Sequence, residues 1–239
     1  MSFYMVEGAL YVKDSGTEGL SLIKRAIGHL GSYRGGVFWP FLDREREVFG
    51  NEDVAAFNAE GETITFTHDA LARSENTRFY IRISYFNSNP HLQQIRLVVP
   101  EDAVGSRLQP LWQIFRDIML GFTDALKPSL ALATVTQVDE SGADTADDDE
   151  LPMSEDVSDD GLPRVLLPWN YFGPDRLTDD LAAFLGTLDA FKSEQHGEGW
   201  LLEVVADVTQ PPSHEFLDSL KSASVPHPIS YRQLKFRAD

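Results

Sequence analysis

The stretch RFYIRISYFNSNPHLQQIRLVV, residues 78–99, decides the fold. From Arg78 to Phe86 the apolar residues Phe79, Ile81, Ile83 and Tyr85 occupy every second position, the repeat of a strand with one buried face. Asn87-Ser88-Asn89-Pro90 then concentrates turn-forming residues, and Ile95, Leu97 and Val99 resume the alternation. Upstream, Glu62 to Thr67 has the same period, with Ile64 and Phe66 on one side and Thr63, Thr65 and Thr67 on the other. Three such runs in succession predict an antiparallel meander. One of its faces is buried and the other wet, which explains an alternation cleaner than a parallel sheet covered on both sides would show. The wet face carries Arg78, Arg82 and Arg96, a stripe that either grips an acidic ligand or protects a solvated sheet face against edge association.

Downstream, Leu108, Leu111, Trp112, Phe115, Ile118, Met119, Phe122 and Leu126 recur at intervals of three and four, which predicts an amphipathic helix. Gln109-Pro110 suits its first turn and Pro128 stops it. This helix is the natural lid for the meander, since two layers around one core is the economical arrangement. Before the meander, Phe3 to Val12 reads as a strand closed by Asp14-Ser15-Gly16, and Leu20, Ile23, Ile27 and Leu30 predict a helix over Thr17 to Leu30.

Later in the chain, Arg164 to Leu167 is a strand candidate, and Leu181, Phe184, Leu185, Leu188 and Phe191 form a second helical stripe. Trp200 to Val205 reads as a buried strand, Pro211-Pro212-Ser213 opens a helix bearing Phe216, Leu217 and Leu220, and Ile229 to Phe236 closes as a strand. The predicted class is α+β: an antiparallel meander covered by amphipathic helices, followed by a smaller β-α-β-α-β part. Periodicity leaves open whether that smaller part contains a parallel pair.

The chain has 239 residues, 42% of them apolar, and no Cys, enough to fill a core without disulfides. Thiol nucleophiles, Cys-ligated metals and iron–sulfur clusters are excluded. A net charge of −18 argues against a protein that grips nucleic acid or an anionic membrane, since both need clustered Lys and Arg. The start MSFYMVEGAL lacks the basic and apolar regions of a signal peptide, and no apolar run, Pro128 to Val138 included, is long enough to span a bilayer. Cytoplasmic residence is the expectation.

Eleven acids and no Lys or Arg lie between Asp139 and Asp160, leaving −7 for the rest of the chain. Poor in large apolar side chains, this segment cannot offset the entropy cost of ordering and is expected to be a disordered insertion or linker. It separates residues 1–138, an α+β part, from residues 161–239, a smaller α/β part that either stands alone or joins the first in one domain. Asp147, Asp148, Asp149 and Glu150 at its centre are candidates for attracting a basic partner; the plainer alternative is a solvated insertion. The acid spacing does not match a calcium-binding loop.

The sequence contains no phosphate loop, dinucleotide fingerprint, nucleophile elbow or zinc-binding H-E-x-x-H. His214 and Asp218 share a helical face as two metal ligands would, but lack a third, and His227 stands between Pro226 and Pro228. His68-Asp69 resembles an oriented base, yet neighbours on a strand point to opposite faces. His29, His91 and His196 stand alone. No catalytic residue, metal ligand or cofactor is expected, and the chain is not expected to be an enzyme.

Two aromatic clusters remain, Gly35-Gly36-Val37-Phe38-Trp39-Pro40-Phe41 and Trp169-Asn170-Tyr171-Phe172-Gly173-Pro174, each set beside glycine and proline as at a turn. They are either interface anchors or plugs at the ends of the core. The order of elements, with Trp39 and the later turn Trp169, Tyr171, Phe172 and Gly173, resembles bacterial polymorphic-toxin immunity proteins, the immunity protein 52 family in particular. That resemblance implies a non-catalytic α+β protein that binds a cognate protein toxin, commonly a nuclease with a basic surface, and occludes its active site. Trp39, Trp169, Tyr171 and Phe172 would then be partner-binding residues, joined by the central acids of the insertion, which itself departs from the family pattern. The alternatives are a small-molecule enzyme with an unrecognised site and a structural or assembly protein.

Overall fold

A computed structural model describes residues 3–13, 66–74, 77–89, 92–99, 108–138, 163–223 and 228–233, with backbone alone over residues 66–99. The strands are β1 (Phe3–Lys13), β2 (Phe66–Ser74), β3 (Thr77–Asn89), β4 (Leu92–Val99), β5 (Leu130–Val138), β6 (Val165–Leu166), β7 (Trp169–Phe172), β8 (Lys192–His196), β9 (Gly199–Glu203) and β10 (Ser230–Tyr231). The helices are α1 (Leu108–Leu126), α2 (Asp179–Thr187) and α3 (His214–Ser222). Eight strands form one sheet in the order β2-β3-β4-β1-β5-β7-β9-β8, and every neighbouring pair is antiparallel. The remaining two, β6 and β10, form a small parallel pair. The α+β class expected from the sequence is the class observed.

The expected meander is β2-β3-β4; its first strand is Phe66–Ser74, and residues 62–65 of the expected run lie outside the described residues. Its register places Ile83 opposite Leu97, and Leu97 opposite Gly8 of β1, so the Ile81–Ile83–Tyr85 row shares a face with Gly8. That is the face covered by α1, because a Cβ on Gly8 would stand 2.7 Å from Met119 Sδ and 3.0 Å from the Phe115 ring. All eight residues of the α1 stripe are buried. The helix ends on Lys127, a C-cap neighbour with φ 48° whose N–H donates to Thr123 O, just before Pro128.

On the opposite face, Ala9 and Tyr11 of β1 lie beside Leu132 and Leu130 of β5, which lie beside Asn170 and Phe172 of β7, and those beside Leu202 and Trp200 of β9. Leu181, Phe184 and Leu185 of α2 and Phe216 of α3 complete that apolar cluster. The middle of the sheet is thus buried on both sides, β1 from Val6 to Val12 without interruption. Arg82 and Arg96 share the register face of Ala9.

Three elements differ from expectation. Leu130–Val138, noted only as an apolar run, is the strand through which β1 meets β7. Trp169–Phe172, expected at a turn, is a fully buried strand. The second helix stops at Thr187, where Leu188 caps it with its N–H donating to Leu185 O, so Phe191 leaves the stripe. The predicted Thr17 to Leu30 helix, the Trp39 cluster and the acidic segment lie outside the described residues.

Short-range chemistry fixes the later elements. Thr178 and Ser213 cap α2 and α3, their side-chain oxygens accepting from Leu181 N and Phe216 N. Asn170, fully buried, accepts from Leu167 N at 2.8 Å and donates to Leu167 O at 2.6 Å and Leu202 O at 3.3 Å, so each polar atom of its amide is satisfied as the chain bends into β7.

Candidate functional site

The β8–β9 hairpin organises two concave surfaces, one at each end. Gly197, at φ 60°, opens the turn between the strands, and this conformation costs glycine nothing. The turn packs against the last residues of α1 and the end of β7. Thr123, Asp124, Lys127, Tyr171, Pro174, His196, Gly197 and Glu198 line a cleft of about 140 Å³ there.

His196 stood alone in the sequence but is paired here, its Nε2 lying 3.0 Å from Asp124 Oδ1. The Tyr171 ring meets the imidazole edge-on, with centroids 6.3 Å apart. Tyr171 itself is 5% exposed. Burial first, then the carboxylates of Asp124, Glu198 and Asp175, push the phenol above its ordinary range. Lys127 Nζ stands 3.9 Å from Glu198 Oε2 at the exposed rim. Thr123 is no free nucleophile, because its hydroxyl donates to Leu120 O at 2.7 Å.

At the other end of the hairpin, Asp189, Phe191, Val204 to Asp207, Gln210, Pro211, Ser213 and Glu215 line an open groove of about 510 Å³. Phe191 is 60% exposed, the large apolar side chain left in solvent among the described residues. Its N–H donates to Val204 O, which holds the backbone to the sheet while the ring points away from the core cluster. The groove's ionisable lining is wholly acidic: Asp189, Asp207 and Glu215.

The residues nominated from the sequence are distributed differently. Trp169 and Phe172 are 0% and 1% exposed, so the cluster fills the core instead of presenting anchors to a partner. The physical reason is their place in β7, a central strand with α1 over one face and α2 over the other. Of the described nominees, Tyr171 alone lines a cleft. Trp39, Asp147, Asp148, Asp149 and Glu150 lie outside the described residues. His214 and Asp218 sit on the exposed side of α3, with Asp218 Oδ1 3.7 Å from Lys221 Nζ, and among the described residues no group of three His, Asp or Glu is placed to hold a metal. His68 and Asp69 occupy successive positions of β2 and therefore opposite faces.

Among the described residues no helix is long and apolar enough to cross a membrane. No protein-family model matches the chain, and no curated protein matches it. Among solved structures the chain is similar to the Pseudomonas aeruginosa T6SS protein PA0821, at 13% identity over 92% of this chain and 73% of that one, with a TM-score of 0.49. A likeness that loose carries no argument about function.

Proposed function

We propose that this chain is a non-catalytic binding protein, of the toxin-immunity kind, that neutralises a basic protein partner by covering its active site. The observation that carries the reading is Phe191, an exposed aromatic ring in a groove whose charged residues are all acids. An aromatic anchor buries a large area while few rotamers are lost, and an acidic rim speeds encounter with a basic surface. The overall charge of −18 acts in the same direction at longer range. A nuclease active site, built to hold phosphates, supplies the complementary positive surface.

The test is calorimetry of the purified chain against the product of the neighbouring gene, together with survival of cells expressing that product. A 1:1 complex and rescue are expected. Phe191→Ala should weaken binding by roughly 30-fold, the scale of an interface hot spot, while the melting temperature holds. Absence of both binding and rescue would overturn the reading.

A further inference from the structure

We infer that the seam between α1 and strands β7 and β9 is an internal hydration site, in which a pair of ordered waters bridges polar groups that no described residue completes. This assignment does not depend on the partner proposed above, because it concerns the interior of the chain and needs no second protein.

Four polar atoms carry it: among the described residues Trp112 Nε1, Trp169 Nε1, Arg116 Nε and Gln109 Oε1 are buried and meet no hydrogen-bond partner. Both indoles belong to side chains that are 0% exposed, so bulk solvent does not reach them. Buried polar groups are normally paired, and an N–H left open in the interior forfeits the hydration it had in the unfolded chain. A single such atom is a local defect, whereas several sharing one seam point to an occupant.

The topology brings them together. Gln109, Trp112 and Arg116 follow one another on α1 at intervals of three and four, and so share a helical face. Trp169 of β7 lies opposite Ala133 of β5, which lies opposite Gly8, and this is the face that α1 covers. Glu203 of β9 is the register partner of Trp169, and Arg116 Nη1 donates to its Oε2. Gln109 Nε2 donates to Ala206 O at 3.1 Å, three residues beyond Glu203. The open donors and the open acceptor thus face one seam yet stay beyond bonding reach of one another, a spacing that a bridging water spans.

Counting the bonds identifies the ligand. Three N–H groups and one carbonyl oxygen are left, and a water accepts two hydrogen bonds and donates two. One water therefore leaves a donor open. Two waters bonded to each other accept all three N–H groups, give one hydrogen to Gln109 Oε1, and direct the rest to the Glu203 carboxylate, whose lone pairs Arg116 Nη1 only partly uses. What remains is the entropy of holding them. An anion suits the seam less well: it would leave Gln109 Oε1 open, and the Glu203 carboxylate beside it would repel it. The waters also have a way in, because Ala206, which holds Gln109, lines the open groove beside Phe191.

Water-selective NMR of the full chain at pH 6 tests the site, with the indole signals assigned through Trp112→Phe and Trp169→Phe. In the native chain the Hε1 protons of both indoles should show cross peaks to water, with the sign of a water held far longer than one at the surface. Guanidinium protons exchange too slowly at that pH to relay the signal. Glu203→Gln removes the carboxyl proton, which is the other relay, and keeps the shape of the seam; both peaks should persist in it. Absence of a water peak at either indole would overturn the assignment, and so would loss of the peaks in a folded Glu203→Gln chain. Raising sodium bromide to 500 mM should leave both unchanged, and their loss there would make the occupant an anion and overturn it as well.

Discussion

Glu203 and Arg116 form an ion pair in the seam between β9 and α1, with side chains 9% and 16% exposed. Burial raises the Glu203 carboxyl above its ordinary 4.5, and the attraction of Arg116 and then Lys192 does not cancel that effect. The pair is surrounded by further cost: among the described residues the indole N–H groups of Trp112 and Trp169 and the Arg116 Nε are buried without acceptors. A carboxyl whose folded pKa is raised binds its proton more tightly in the native state. Its contribution to stability is therefore complete below the ordinary carboxyl range and is lost as pH rises from about 4.5 through the raised value. Glu203→Gln, which keeps the shape and the hydrogen bond to Arg116, should gain stability relative to the native chain as pH rises through that window, with no change in the difference below it. Arg116→Met should behave oppositely, losing about 3 kcal/mol at pH 7, where the carboxylate is left alone in the core, and less at pH 4. Urea denaturation of the three proteins across pH measures both effects, and parallel profiles for native chain and Glu203→Gln would refute the account.

At the scale of elements, Gly173 joins β7 to what precedes it in the sheet. Its N–H donates to Ser129 O at 2.9 Å, and a Cβ there would stand 2.0 Å from Pro128 O, a backbone atom that cannot rotate away. Gly173→Ala must push β7 from β5 or shift the end of α1. A loss of about 3 kcal/mol is expected, or roughly 6–12 °C in melting temperature for a chain of this size. A change below 1 °C would show that the close approach is not needed. The same junction marks what the sequence could and could not disclose. The α1 stripe was legible because one side of that helix meets the core and the other meets water. β5 was not, because residues 130–136 are buried on both faces and the strand shows no alternation, only an apolar run. Trp169–Phe172 misled for a related reason: Pro168 and Gly173 bound a strand of four residues, and such residues signal turns more often than strand ends. β8 escaped because KSEQH is a polar edge strand. The cleft escaped altogether, since its residues come from three remote segments and the His196–Asp124 pair spans 72 positions.

At the scale of the whole molecule, the sheet passes from β1 through β5 into β7, so residues before and after the acidic run share one hydrogen-bonded layer. β5 and β7 are antiparallel neighbours, with Leu130 opposite Phe172 and Ala133 opposite Trp169. The chain therefore leaves β5 at Val138 and re-enters the layer toward the same end of that strand, as across the open end of a long hairpin. A segment in that position closes a loop, and loop-closure entropy grows only slowly with length, by about 0.6 kcal/mol for each doubling. Replacing Asp139 to Asp160 by a few Gly and Ser residues should leave the melting temperature unchanged or raise it by a few degrees. It also removes eleven of the eighteen net negative charges and leaves the acids around Phe191 in place. If the groove supplies the contact and the acidic run supplies the attraction, the shortened chain associates with its basic partner more slowly, by roughly tenfold at low salt, and dissociates at the native rate. Stopped-flow association at two ionic strengths separates the two roles. An unchanged on-rate would make the run a solvated insertion with no part in binding, and a faster off-rate would move part of the contact surface into the run itself.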